Sequence, residues 1–175
     1  ISGDLKSNLL KTAAQVCDAI LVGAKDVENA KKTGAKIAAS SGESNINVLS
    51  TFDEDKVKEL KGMGRTVAVK VTIRGEKDEE TAIKAAELSS DYIVIHCTDW
   101  KVIPLENLIA KTRGKTKLLA EVSSAKEAKL ALETLELGAD GVVLKTSNPD
   151  ELVETAVIAK KKAPKVELVP AKVVE

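Results

Sequence analysis

Amine, carboxylate and imidazole side chains gather at a few points of this sequence, and together they suit acid–base or carbonyl chemistry. The densest group lies in Thr98–Ala110 (TDWKVIPLENLIA) and in the apolar run before it, Tyr92–Cys97 (YIVIHC). The only His, His96, and the only Trp, Trp100, fall there beside Asp99, Glu106 and Asn107. Three further positions carry reactive types in or just after apolar runs: Lys70 within TVAVKVTI, Glu121 within KLLAEV, and Lys145-Thr146 closing GVVLKT. Arg74 follows the first of these runs and Ser123 the second. A lysine turned into a dry barrel would suit Schiff-base or base chemistry, with a carboxylate to exchange its proton. Lys145, ahead of a capped helix start, could meet an anion such as a pyrophosphate. Each position also has a structural alternative. Lys70 could be a solvated edge or an ion pair, and His96 a core-edge imidazole. Asp99 could start a turn, and Glu106 could serve the helix dipole. Trp100 could be a packing anchor, and Thr146-Ser147-Asn148 a simple cap.

The elements that must position these residues read clearly. Leu5–Val16 repeats apolar residues on one helical face, Asp18–Gly23 reads as a short buried strand, and Lys25–Lys32 as a helix stopped by Gly34. Lys36–Ala39 and Ile46–Ser50 are brief strands, and Asp53–Lys61 is a helix ended at Gly62-Met63-Gly64. The pattern then becomes regular. Strands at Thr66–Ile73, Tyr92–Cys97, Thr116–Val122 and Gly141–Lys145 alternate with helices at Lys77–Leu88, Pro104–Thr112, Ala125–Leu137 and Pro149–Lys162. Strand starts recur at roughly 24–26 residues, the span of a strand plus a crossover helix. Ser124-Ala125-Lys126-Glu127 is a capping box, and Asn148-Pro149-Asp150-Glu151 places a cap, a proline at N1 and first-turn acids. This predicts a parallel (β/α) TIM-barrel-like domain over 1–163 with seven visible strands, lacking its first. An open doubly wound sheet is the alternative. Residues 164–175 break the rhythm and read as a β-ribbon interrupted at Pro170, the start of a β-rich C-terminal domain absent from this chain. In a parallel unit, functional side chains belong at the C-terminal strand ends, which is where the residues above fall.

Composition narrows the function. Lys+Arg and Asp+Glu balance at 27 each, which argues against nucleic acid or an anionic membrane as partner. Aromatics are 2%, too few for base-stacking platforms, so the core must be aliphatic. Cys17 and Cys97 lack metal or disulfide spacing, pointing to reduced thiols, a cytoplasmic setting and no metal. The sequence holds no glycine-rich dinucleotide fingerprint, phosphate loop or zinc spacing.

The Asp99–Ala110 block (DWKVIPLENLIA) resembles the D-W-x-x-I-P-x-E-N-[LI]-[IV]-A stretch of the 3-dehydroquinate synthase II family. Ala125–Leu144 (AKEAKLALETLELGADGVVL) supports the likeness, as does Val169–Glu175, which stands where that family's second domain begins. Two departures accompany it. Family members open with a strand carrying a W-I-like pair, which is missing here, and they continue into a C-terminal domain with R-P-F-R-V-N-A-G-P-V-H-A-Y-type motifs. The departures make this chain a fragment, a truncated homologue or one piece of a split protein. The resemblance implies NAD-dependent oxidative deamination of an amino-dideoxy-heptulosonate and ring closure to 3-dehydroquinate, a step of aromatic amino-acid biosynthesis. It implies NAD as cofactor and an amino sugar acid as substrate. Contact with another copy of the chain or with a separate C-terminal domain would follow. On this reading Lys145 or Lys70 is the amine group and Asp99 or Glu106 the carboxylate. Trp100 walls the pocket, with Asn107, His96, Glu121, Arg74 and Thr146 in binding roles. The rival readings are a Schiff-base aldolase of the barrel type and a non-catalytic barrel kept for interaction.

Overall fold

The computed structural model describes residues 3–40, 43–99, 105–134, 139–162 and 170–173. Trp100, the expected helix bounds Pro104 and Leu137, and residues 163–169 and 174–175 of the tail, all invoked above, lie outside that set. Among the described residues eight parallel strands run in sequence order around a closed barrel, so the open doubly wound alternative is excluded. The elements are α1 (Gly3–Val16), β1 (Ala19–Val22), a 3-10 turn (Ala24–Asp26) with α2 (Val27–Lys31), β2 (Lys36–Ala39), β3 (Ile46–Leu49) and α3 (Glu54–Gly62). They continue with β4 (Thr66–Ile73), α4 (Glu76–Glu87), β5 (Tyr92–Cys97), α5 (Glu106–Thr112), β6 (Lys117–Val122), α6 (Ala125–Thr134), β7 (Gly141–Thr146), α7 (Pro149–Lys162) and β8 (Pro170–Val173).

Strands β1 to β7 are largely buried on both faces, as a helix-covered parallel sheet requires. Alternate residues separate into two apolar clusters. Ile20, Ile37, Val67, Val69, Ile93, Ile95, Leu118, Val142 and Leu144 face outward and meet the helices. Ala19, Leu21, Ala38, Ile46, Val48, Ala68, Val94, Leu119 and Val143 fill the barrel interior. With so few aromatics, small and branched side chains fill the narrow bore, and one register slip would exchange the two sets.

Register is pinned by a device repeated three times at the N-terminal ends of the strands. Asn45, just before β3, accepts the Ile37 N–H on Oδ1 at 2.8 Å and donates its own N–H to the Ile37 carbonyl at 2.8 Å. Asp91, before β5, does the same to Val67 at 2.8 and 2.9 Å. Asp140, before β7, does it to Leu118 at 2.8 and 2.8 Å. In each case the clamped residue is the second of the preceding strand, so β2–β3, β4–β5 and β6–β7 are each tied as a pair.

Helix starts follow their caps. Asp53 accepts the Lys56 N–H at 3.0 Å, Ser124 accepts the Glu127 N–H at 3.1 Å, and Asn148 accepts the Asp150 N–H at 2.9 Å. The reach-back of the Ser124 box is shifted by one, since Glu127 takes the Ser123 N–H rather than that of Ser124. Gly34, Gly64 and Gly114 sit at φ of 76°, 70° and 77°, the left-handed stops after α2, α3 and α5.

Closure comes from the tail. β8 pairs in parallel with both β1 and β7, with Ala19 opposite Pro170 and Leu144 opposite Ala171. It fills the slot between β1 and β7 where a strand preceding α1 would lie. Pro170 opens this strand instead of interrupting a ribbon, as suits a residue with no N–H to give to a ladder.

Candidate active site at the barrel mouth

Alternation along the strands decides which reactive residues face the bore. Ala68, Val94, Leu119 and Val143 point inward. Two residues further along each strand, towards its C-terminal end, stand Lys70, His96, Glu121 and Lys145. These form an ionisable collar above an apolar floor. Lys70 on β4 and Glu121 on β6 meet across the bore above β5, with Nζ 2.6 Å from Oε2. Their side chains are 21% and 11% exposed. The contact is an ion pair without directed hydrogen-bond alignment at the buried Oε2. Burial of both partners makes the pair costly to break from one side, because the other charge would be left without compensation.

His96 is half-buried, and its Nδ1 is enclosed with no hydrogen-bond partner among the described residues. Thr72, opposite His96 in the β4–β5 register, is exposed at the rim. It shares the inward set of Lys70 and was not singled out from the sequence, although the same alternation selects it. Lys145 reaches the rim on β7 and is exposed.

Other candidates lie apart. Thr146 belongs to the opposite set from Lys145 and is buried, its Oγ1 accepting the Asn148 N–H at 3.0 Å as part of the α7 cap. Arg74 follows β4, exposed, and its backbone N–H goes to Asp78 Oδ2. Asp99 is exposed just past β5. Glu106 is the first residue of α5 and exposed, as is Asn107 beside it. The charge of Glu106 is felt by Glu79 on the outer helix α4, whose carboxyl is pushed above its ordinary range by burial first and then by Glu76 and Glu106. Cys97 turns outward into the helix-facing core, where burial raises its thiol to about 11, and burial raises Cys17 to about 12. Neither is a nucleophile at neutral pH.

The collar therefore offers an ammonium, a carboxylate, an imidazole and a second amine around one apolar-floored opening. Such a set can bind an acidic, oxygen-rich ligand, move protons and polarise a carbonyl. Among the described residues no cluster of His, Cys, Asp or Glu could hold a metal ion. Nor does the start of α7 suit the pyrophosphate that Lys145 could meet. The α7 N-terminus next to Lys145 is closed by its own Asn148 cap, and Asp150 and Glu151 place negative charge in its first turn.

A closed (β/α) barrel with an acid–base collar at the C-terminal ends of its strands defines the class: a barrel domain with its candidate site at the mouth, where this architecture carries catalysis. Within that class, residues 4–159 match the model of the 3-dehydroquinate synthase II N-terminal domain, and the chain belongs to that family. It is similar to the 3-dehydroquinate synthase of Methanocella arvoryzae, 37% identical over 158 residues, covering 79% of this chain and 42% of the relative. The 3-dehydroquinate synthase of Methanocaldococcus jannaschii is 35% identical over 154 residues, 85% of this chain and 43% of its own length. A 3-dehydroquinate synthase homolog of Persephonella marina is 37% identical over 160 residues, 84% of this chain and 47% of its own. The chain thus spans less than half the length of these curated relatives.

Proposed function

We propose that this barrel is the substrate-binding and proton-transferring part of a 3-dehydroquinate synthase of the second type. That enzyme would oxidatively deaminate an amino-dideoxy-heptulosonate with NAD and close the ring to 3-dehydroquinate. The observation that carries the reading is the Lys70–Glu121 pair, a donor and an acceptor 2.6 Å apart over an apolar floor at the mouth. Ring closure needs a proton taken from carbon beside a carbonyl and the resulting oxyanion held. On this reading Glu121 takes the proton and the Lys70 ammonium holds the oxyanion as it forms. His96 and Lys145, on the same collar, suit the hydroxyls and carboxylate of a sugar acid. NAD supplies the hydride acceptor. The self-capped α7 terminus does not fit its pyrophosphate, so NAD would be held chiefly by the part of the relatives' length that this chain does not span.

Calorimetric titration of this chain with the amino sugar acid tests the assignment. The expected result is saturable binding, lost or weakened roughly tenfold in Lys70→Met and in Glu121→Gln, the scale of a lost hydrogen bond to a charged group. Binding unchanged in both variants would sink it. Each single variant should also lose about 2–3 kcal/mol of stability, somewhat below a fully buried pair because both side chains retain some solvent. The K70M/E121Q double variant should recover part of that loss, which separates misfolding from lost binding. The inward lysine also favours a second reading, a Schiff-base aldolase. Borohydride in the presence of a keto-sugar would then attach the sugar covalently to Lys70.

A further inference from the structure

A broad depression lies beneath the barrel, on the face opposite the mouth, at the N-terminal ends of β5, β6 and β7. It encloses about 690 Å³, a size suited to a small metabolite. Its walls are the turns before those strands and the C-terminal end of α3.

Its charge is unevenly committed. The two acids in the wall are occupied by the strand clamps: Asp91 Oδ2 receives the Val67 N–H and the Lys61 ammonium at 2.8 and 2.9 Å, and Asp140 Oδ2 receives the Leu118 N–H. Arg113 and Lys115 flank Gly114 at the rim, exposed, and neither has a carboxylate partner among the described residues. Helix-dipole compensation explains basic residues at these helix ends without any ligand. It does not explain the floor. Ser90 is 0% exposed and lines the depression, yet its Oγ has no hydrogen-bond partner among the described residues. Thr116 Oγ1, in the same wall, is likewise buried and unpartnered. A buried hydroxyl without a partner costs about 1–3 kcal/mol, and native proteins leave few of them. The nearby helix-end carbonyls of Ala85, Ala86 and Thr112 already accept backbone N–H groups.

Two hydroxyl donors on the floor, two uncommitted cations on the rim and two occupied acids suit a ligand that only accepts hydrogen bonds and carries more than one negative charge. We propose that this depression is a second site, binding the phosphate group of a small phosphorylated metabolite, on the face opposite the mouth. It is independent of the reaction proposed above.

The test is an amide-resolved NMR titration of the chain with inorganic pyrophosphate and with glucose 6-phosphate, against sodium chloride at matched ionic strength. The first probe reports the anion alone, and the second a phosphate carried on a metabolite. Saturable shifts are expected for Ser90, Gly114 and Thr116 with either phosphate probe, while Lys70 and His96 stay still. Arg113→Gln with Lys115→Gln should weaken binding about tenfold, and S90A severalfold, with melting temperatures near wild type because both cations are exposed. If the double variant folds poorly, Lys115→Gln alone serves the same comparison. The proposal is overturned if chloride reproduces the shifts, if the charge variants bind as wild type, or if the shifts fall at the mouth. Saturation by an acidic peptide but by neither phosphate probe would overturn it as well, in favour of a protein partner.

Discussion

Lys70 shows at the scale of one residue how position sets chemistry. In sequence it is one lysine among many, distinguished only by lying inside a β-branched strand. In the barrel it shares the inward set with Ala68 and meets Glu121 at 2.6 Å. The two cysteines show the reverse. Cys97 is next to His96 but points to the other face, into the aliphatic layer under the helices. Its thiol at about 11 and that of Cys17 at about 12 stay protonated where an ordinary thiol near 8.5 begins to ionise. Raising the pH to 9 should therefore leave both nearly inert to a disulfide reagent in the folded chain. In denaturant both should react as free cysteine does. Rapid modification of either in the native protein would contradict the burial described.

The paired strand is the unit at the next scale. Asn45, Asp91 and Asp140 each bind the second residue of the preceding strand through side chain and backbone together. Side-chain clamps from residues just ahead of odd-numbered strands explain how short strands such as β2 and β3, four residues each, hold their register. Asp140→Ala leaves the Leu118 N–H without its acceptor and should cost about 1–3 kcal/mol in a denaturant melt. Asp91→Ala should cost more, because the Lys61 ion pair at 2.9 Å is lost with it. Equal, negligible costs would show that backbone pairing alone sets the register. The sequence offered a signal for this device, an Asx residue directly before β1, β3, β5 and β7 (Asp18, Asn45, Asp91 and Asp140), but the Asx reads equally well as an ordinary turn residue.

Closure belongs to the whole molecule. Seven strands and their helices were legible because hydrophobic period, caps and glycine stops agree at every step, and the observed bounds differ from the expected ones by a residue or two wherever both fall on described residues; the expected end of α6 at Leu137 lies outside them. The eighth strand was not legible as part of the barrel. Its partners, β1 and β7, are remote in sequence from each other, and β8 is far from β1. A chain shortened to end at Lys162 would leave β1 and β7 as unpaired edges. It should melt at least several degrees lower and self-associate, as seen by scanning calorimetry and light scattering. An unchanged melt and a monodisperse monomer would show that β8 contributes little to closure.

The sequence by itself determined the repeating strand–helix order, the aliphatic core, the absence of a dinucleotide fingerprint and the family block at Asp99–Ala110. These follow from local propensity and period, which neighbouring residues settle among themselves. Only the tertiary structure decided that Lys70 and Glu121 meet while Thr146 and Glu106 stand aside, that Cys97 faces away from His96, and that the tail closes the ring. Those outcomes depend on which face of each strand looks inward and on how far strands are staggered around the bore. Both are set by packing among segments far apart in the chain, and no window of sequence contains them.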